Sequence, residues 1–238
     1  MELYNEDCLK VMKDIESNSI DLLFCDLPYG QTTCKWDCVI DLDEFWKQVN
    51  RICKDTTPMF FTCSTKFGVS LINSNPKNFR YDLVWVKTAP CGFLNAKKMP
   101  MKKHEMIYVF YKKLPLYDIS SHTNKFIKDK EETYITTTLY SDKKGKPRQV
   151  YRAEEGKYDP PLPNSILELS SQKGKHPTQK PVALMEWCLK YYSKEGDIVL
   201  DPTMGSGSTG VACKNMNRQF IGIEMDKKIY DGAVERLK

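Results

Sequence analysis

Ile198-Val199-Leu200-Asp201-Pro202-Thr203-Met204-Gly205-Ser206-Gly207-Ser208-Thr209-Gly210 is the stretch on which the fold turns. Its apolar run stops at an acid and a proline, as a buried strand does when it ends in an exposed turn. The glycines that follow stand at the G-x-G-x-x-G spacing of a nucleotide-binding turn between strand and helix. At Gly205 and Gly207 the absence of a side chain lets the backbone pass close to a ligand. The next apolar run, Phe220-Ile221-Gly222-Ile223, ends at Glu224, nineteen residues after Gly205. A carboxylate there can accept both hydroxyls of a ribose. The glycine pattern alone fits a nicotinamide-dependent oxidoreductase equally well, but its position does not. A nucleotide-binding half needs further strand and helix units, yet only 28 residues follow Gly210. The missing strands must precede it, so the spacing predicts an α/β chain whose sheet is built mostly from strands ahead of the glycine turn.

Upstream of this stretch, short apolar runs alternate with helical patterns, as in a sheet with crossover helices. Leu3-Tyr4 leads to Asp7, and Leu9, Met12 and Ile15 repeat at helical spacing. Ile20-Asp21-Leu22-Leu23-Phe24-Cys25 is a strand that stops at Asp26-Leu27-Pro28-Tyr29, just before Gly30. That turn offers a carboxylate, carbonyls kept out of regular pairing by proline, and an aromatic face. Such groups suit a flat base with an exocyclic amine. Asp41-x-x-Glu44 reads as a capping box for a helix that turns Phe45, Trp46, Val49, Ile52 and Cys53 inward. Further strands are predicted at Pro58 to Thr62, Tyr81 to Val86 and Met106 to Tyr111, with a helix over Phe67 to Ile72. From Leu114 to Ser165 the periodicity dissolves into polar clusters and turn-rich Pro160-Pro161-Leu162-Pro163, which predicts an irregular insertion. Regularity returns at His176-Pro177-Thr178-Gln179-Lys180-Pro181 and continues through a helix from Pro181 and a last helix burying Ile229, Ala233 and Leu237.

The totals set bounds. Length predicts one domain, 1–238, with 114–165 inserted in it. The net charge of +5 is too modest to diagnose a partner, but Lys87 to Lys113 holds seven lysines against Glu105 alone, +6 in 27 residues. Nine cysteines are scattered, and three histidines do not join them at ligand spacing, so reduced thiols and no metal are expected. The first residues lack the regions of a signal peptide and no apolar stretch approaches 18 residues, which predicts a soluble cytoplasmic protein with no membrane contact.

These segments carry a resemblance. Asp26-Leu27-Pro28-Tyr29 resembles the Asp-Pro-Pro-Tyr signature of S-adenosylmethionine-dependent DNA amino-methyltransferases, with leucine for the first proline. Asp201 to Thr209 resembles that family's Asp-Pro-Phe-x-Gly-Ser-Gly-Thr loop, with Thr203 where phenylalanine is usual. His176 to Pro181 resembles the segment leading into the helix before that loop. The order, catalytic turn first and cofactor loop last, is that of the β group. The resemblance implies a Rossmann-like, class I methyltransferase fold, circularly permuted: a seven-stranded, mostly parallel sheet with helices on both faces, and one antiparallel strand at Met106 to Tyr111. It implies that S-adenosylmethionine is bound by Asp7 and Cys8 at the adenine edge, by Glu224 at the ribose, and by Gly205 and Gly207 at the methionine part. Asp201, Thr203 and Ser206 belong to the same loop, His176 belongs to the segment that holds the methionine end, and Thr178 and Lys180 reach the cofactor carboxylate.

The implied reaction is site-specific transfer of a methyl group to the N6 amine of adenine in double-stranded DNA. Asp26 and the Leu27 carbonyl accept the amine hydrogens, Pro28 shapes the turn, and Tyr29 stacks on a flipped base. Adenine is expected because cytosine-amine relatives more often carry serine at the Asp26 position; cytosine N4 is the alternative. Pro90-Cys91 resembles the nucleophile dipeptide of cytosine carbon methyltransferases but follows a sheet strand in a lysine-rich loop, which sets it aside. Lys97, Lys98, Lys102 and Lys103, interleaved with Phe93, Met99 and Met101, are expected to meet DNA phosphates, and Arg148 and Arg152 to read the site. A catalytically inactive DNA-binding relative is opposed by the intact Asp26, Tyr29, Gly205, Gly207 and Glu224. The compartment expected is the cytoplasm of a bacterial or phage-infected bacterial cell, with association with the nucleoid as the alternative. A homodimer and a cognate restriction nuclease are partners that the sequence leaves open.

Overall fold

The structure is a computed structural model that describes residues 1–28, 40–124, 134–141, 147–151, 158–170 and 179–238. The chain begins with β1 (Glu2–Tyr4), α1 (Cys8–Asp14), β2 (Leu22–Cys25), α2 (Leu42–Ile52), β3 (Met59–Cys63) and α3 (Thr65–Ser74). A long hairpin follows, β4 (Phe79–Cys91) and β5 (Lys102–Phe110). After it come the short strands β6 (Thr123–Asn124), β7 (Tyr134–Ser141), β8 (Pro147–Tyr151), β9 (Tyr158–Asp159) and β10 (Ile166–Glu168). The last third is α4 (Val182–Tyr192), β11 (Ile198–Asp201), α5 (Ser208–Asn215), β12 (Gln219–Ile223) and α6 (Lys227–Leu237).

Side-chain caps start four of the helices. Asp7, Asp41, Ser64 and Asp226 each accept backbone N–H groups of the first turn behind them. A cap of this kind contributes about 1 kcal/mol. At Asp41 the reciprocal half of the expected box is replaced: the Glu44 carboxylate turns along the helix to Gln48 Nε2 at 2.9 Å and Lys47 Nζ at 3.2 Å.

The main sheet runs β1-β12-β11-β2-β3-β5-β4-β10. All neighbours pair in parallel except β5, which is antiparallel to both β3 and β4. The sheet is mostly parallel with helices on both faces, and β5 covers the strand expected to run the other way. It has eight strands where seven were expected. The eighth, β10, is three residues long, too short for a periodicity signal, and is recognised by its register of Leu167 against Trp85.

Alternation divides the strands between two cores. Leu22, Phe24, Phe60, Ile107, Val109 and Val199 turn to the face covered by α4, α5 and α6. Leu23, Cys25, Met59, Phe61, Tyr108, Phe110 and Leu200 turn to the face covered by α1, α2 and α3. Each such aliphatic or phenyl side chain contributes roughly 1.5–3 kcal/mol on burial, so a one-residue slip in any of these strands would exchange the two cores.

The described residues form two compact units, Met1–Asp118 with Ser165–Lys238, and Ile119–Asn164. The first contains the main sheet. The second contains two antiparallel ribbons, β6 with β9 and β7 with β8. Among the described residues no helix is long and apolar enough to cross a membrane.

Candidate active site

The carboxyl ends of β2, β3, β11 and β12 lie on one edge of the sheet, and the charged residues gather there. Asp26 leaves β2 in the phase of Leu22 and Phe24, toward the α4 face. Its neighbour across β3 in that phase is Thr62, fully buried, which donates from Oγ1 to Asp26 Oδ1 at 2.7 Å. Glu105 on β5 shares the phase of Ile107 and pairs in register with Trp85 on β4. Lys87 follows two residues after Trp85. The strand order β2-β3-β5-β4 thus sets Asp26, Thr62, Glu105 and Lys87 in a polar row across the end of the sheet.

Lys180, just ahead of α4, closes this row. Its ammonium donates to Asp26 Oδ2 at 2.5 Å and lies 3.3 Å from Glu105 Oε1, while Lys87 lies 2.8 Å from Glu105 Oε2. Burial works against the charge on Lys180, but the carboxylates of Asp26 and Glu105 outweigh it and hold the ammonium above the usual lysine range. Glu105 shows the converse. Burial opposes its charge, and the two lysines carry it below the usual glutamate range. Two cations and two anions share one pocket here, which limits the cost of burying any one of them.

Thr203 links this row to the glycine-rich turn. Its hydroxyl donates to the Asp26 carbonyl at 3.1 Å and stands 3.4 Å from Cys25 Sγ. A hydroxyl at the position where the resemblance has phenylalanine therefore ties two loops together. Asp201 is almost fully buried and accepts from Thr203 N at 3.2 Å and from Thr209 Oγ1 at 2.6 Å. Burial pushes its carboxyl up to about 7 despite these donors. Gly205 and Gly207 both take positive φ, +51° and +76°. Arg236 of α6 donates to the Ser206 carbonyl at 3.0 Å, and also reaches the hydroxyls of Ser206 and Ser208.

Glu224 stands at the end of β12, half-buried. It accepts from Gly205 N at 3.1 Å and Asp226 N at 2.8 Å, and burial raises its carboxyl above the usual glutamate range. Asn5 donates to the carbonyls of Glu224 and Met225 at 2.9 and 3.1 Å, which brings the β1–α1 turn alongside. In that turn Asp7 caps α1 through Leu9 N at 2.8 Å, and burial pushes the Cys8 thiol up to about 12.

These residues fit a nucleoside with an amino-acid tail. A Cβ built on Gly205 would have only the Thr203 carbonyl near it, at 4.0 Å, so that face is open to a ligand. Glu224 is the acid at its border. Among the described residues no group of His, Cys, Asp and Glu could hold a metal ion.

Asp26, Leu27, Pro28, Lys180, Asp201, Thr203, Gly205, Ser206, Gly207, Glu224, Asp7 and Cys8 all lie on this edge or in the turns that border it. Lys180, expected at a cofactor carboxylate, is bonded to Asp26 and Glu105. Tyr29, His176, Thr178 and Arg152 lie outside the described residues; Arg148 lies on β8. Lys97, Lys98, Lys102 and Lys103 are exposed on the β4–β5 hairpin. Thr62, Glu105, Lys87 and Asn5 were missed as site residues. A threonine and a glutamate inside otherwise apolar strands were visible, but only the strand order brings them to Asp26.

The family model described as DNA methylase matches residues 20–235. The type II methyltransferase M.HpaI of Haemophilus parainfluenzae is 28% identical over 250 residues, covering 97% of this chain and 72% of that protein. The crystal structure of an M1.HpyAVI–SAM complex is 27% identical with a TM-score of 0.65, covering 99% of both chains. The PvuII cytosine-N4-specific DNA methyltransferase shares the fold at 18% identity with a TM-score of 0.68, covering 99% of this chain and 86% of that one.

Proposed function

This chain belongs to the DNA methylase family as an S-adenosylmethionine-dependent DNA methyltransferase, and from that premise we propose that its target is the N6 amine of adenine at a specific site in duplex DNA. The observation that carries this reading is the Asp26 carboxylate, fixed by Thr62 and Lys180 and joined through Thr203 to the glycine-rich turn. A carboxylate has about four acceptor sites, and Thr62 and Lys180 are two of the donors that orient this one. The Leu27 carbonyl is assigned the second hydrogen, and Tyr29 the face of the flipped base.

S-adenosylmethionine, when bound, would supply an activated methyl group whose transfer leaves a neutral thioether. Asp26 turns the amine lone pair toward the methyl and stabilises the positive charge that builds on nitrogen. Glu224 is assigned the ribose hydroxyls, Asp7 and Cys8 the adenine edge, and Gly205 with Gly207 the methionine part. His176 is assigned to the segment holding the methionine end, and Thr178 and Lys180 to the cofactor carboxylate; for Lys180 this requires it to share its ammonium with Asp26.

Site recognition is assigned to the 114–165 insertion, with Arg148 and Arg152 as readers, and phosphate binding to Lys97, Lys98, Lys102 and Lys103. The bacterial cytoplasm is the expected compartment. The type II designation of M.HpaI makes a restriction nuclease the partner to look for, and sedimentation tests a homodimer. Digestion of DNA methylated by the purified chain, followed by mass spectrometry of the nucleosides, is expected to yield N6-methyladenine. Methylcytosine alone would overturn the adenine assignment. Asp26→Ala is expected to abolish transfer with cofactor affinity retained.

A further inference from the structure

The β4–β5 hairpin carries a feature that the reaction does not use. Its ladder extends to the pair Cys91–Lys102, and the connection beyond it is a closed turn. Gly92 takes a φ of +93°, residues Phe93–Asn95 form a 3-10 turn, and four backbone bonds tie Asn95, Ala96, Lys98 and Met99 back to Gly92, Phe93 and Asn95. On this tip Phe93 is 83% exposed and Leu94 is 96% exposed, with Met99 at 59% and Met101 at 41%. Lysines 97, 98, 102 and 103 surround them, and no acid occurs from Thr88 to His104.

A globular chain gains nothing by ordering a phenylalanine and a leucine side by side in water, so a partner must cover them. Two copies meeting tip to tip would bring together eight positive charges, four from each. Duplex DNA offers the matching pair of surfaces, phosphates for the lysines and an apolar base step for the rings and methyls. Topology fixes where this occurs. Because β5 is antiparallel to β3, the hairpin leaves the sheet at the edge that bears Asp26. Glu105, in contact with Lys180, lies three residues from Lys102, about 10 Å of strand.

We propose that Phe93 and Leu94 form a wedge that enters the duplex beside the target base and fills the stack when that base is flipped out. The inference rests on the DNA methyltransferase reading and adds to it a group that acts only when a base pair has to be opened. An apolar pair in the vacated space replaces lost stacking and slows the return of the base.

The test compares the wild type with a Phe93→Ala/Leu94→Ala variant on two duplexes carrying the motif found by methylation sequencing. One is fully paired; in the other the target base stands opposite an abasic position. On the paired duplex kcat/KM is expected to fall roughly ten- to a hundredfold, and on the abasic duplex by less than about threefold. Phe93→Trp is expected to retain activity on both. Truncation at such exposed positions opens no cavity, so the melting temperature should not move. An equal loss on both duplexes, or no loss on either, overturns the wedge. A wild-type dimer that the variant dissociates in sedimentation also overturns it, because the tip then covers a second copy. Failure of the wild type to methylate either duplex would instead strike at the reading beneath.

Discussion

Lys180 stands between two carboxylates, and the sharing of its charge governs how firmly Asp26 is held. Glu105→Gln leaves the ammonium with Asp26 alone. Lys180 then loses one of the two anions that raise it, so loss of activity on the alkaline side should begin at lower pH than in the wild type. The expected fall in kcat is about tenfold or more, the scale of one charge-assisted hydrogen bond. Cofactor affinity should change little, and Glu105→Asp should recover part of kcat. A pH profile that does not move would make Glu105 a packing residue. Asp201 gives a second test, with the sign set by burial. Its carboxyl is raised from 3.8 to about 7, so the folded state holds a proton that the unfolded chain releases. Between those values folding binds a proton, and stability contributed by this group falls as pH rises. Asp201→Asn keeps an acceptor and gains a donor for Thr209. Its melting temperature relative to wild type should therefore climb from pH 4 to pH 7 and level off above. A constant difference across that window would mean that Asp201 titrates in the ordinary carboxylate range.

At the scale of elements, α5 shows why a glycine is needed inside a helix. A Cβ on Gly210 would come within 2.8 Å of the Phe220 ring on β12 and 2.9 Å of Leu237 on α6. Gly210→Ala should destabilise the protein by roughly 1–3 kcal/mol, the cost of overpacking, and lower the denaturation midpoint without changing the m-value. An unchanged midpoint would show that α5 can move outward. The sequence showed Gly210 only as the third glycine of the spacing; its packing role needs the positions of β12 and α6. The strands of the main sheet other than β10 were legible, because runs such as Leu22–Cys25 and Met59–Cys63 are bounded by turn residues, and so was the order in which the Asp26 turn precedes the glycine-rich turn. The polar row was not. Alternation indicates that Thr62 and Glu105 each share a face with particular neighbours, but it does not give the order β2-β3-β5-β4 that makes them adjacent. The placement of Lys180 escaped for the same reason: it depends on where α4 begins over that row.

In the whole molecule, catalysis and cofactor binding are assigned to one compact unit, the discontinuous Met1–Asp118 with Ser165–Lys238. Its sheet edge is committed to Asp26, the glycine-rich turn and Glu224. Reading a DNA sequence needs donors and acceptors that reach base edges, and these come from adaptable segments outside a close-packed sheet. Ile119–Asn164, with its own ribbons and with Arg148 on β8, is the segment to which that reading is assigned in the proposal. In the chain it falls between β5 and β10, so exchanging it keeps the sequence order of the main strands. Replacing residues 119–164 by the corresponding segment of a relative with another methylated motif should transfer that motif. Cofactor affinity, measured by calorimetry, should stay within about a factor of three, since every described residue assigned to the cofactor belongs to the first unit. Arg148→Ala should relax discrimination at one position, costing roughly 1–3 kcal/mol if the guanidinium reads a guanine and correspondingly less against other bases. Loss of a phosphate contact would instead weaken all sites alike and lower the salt dependence by about one ion. Sequencing of methylated DNA from cells expressing each chain separates the two. If the exchanged chain keeps its original motif, recognition belongs to the first unit, and the β4–β5 hairpin becomes the element that reads as well as opens the duplex.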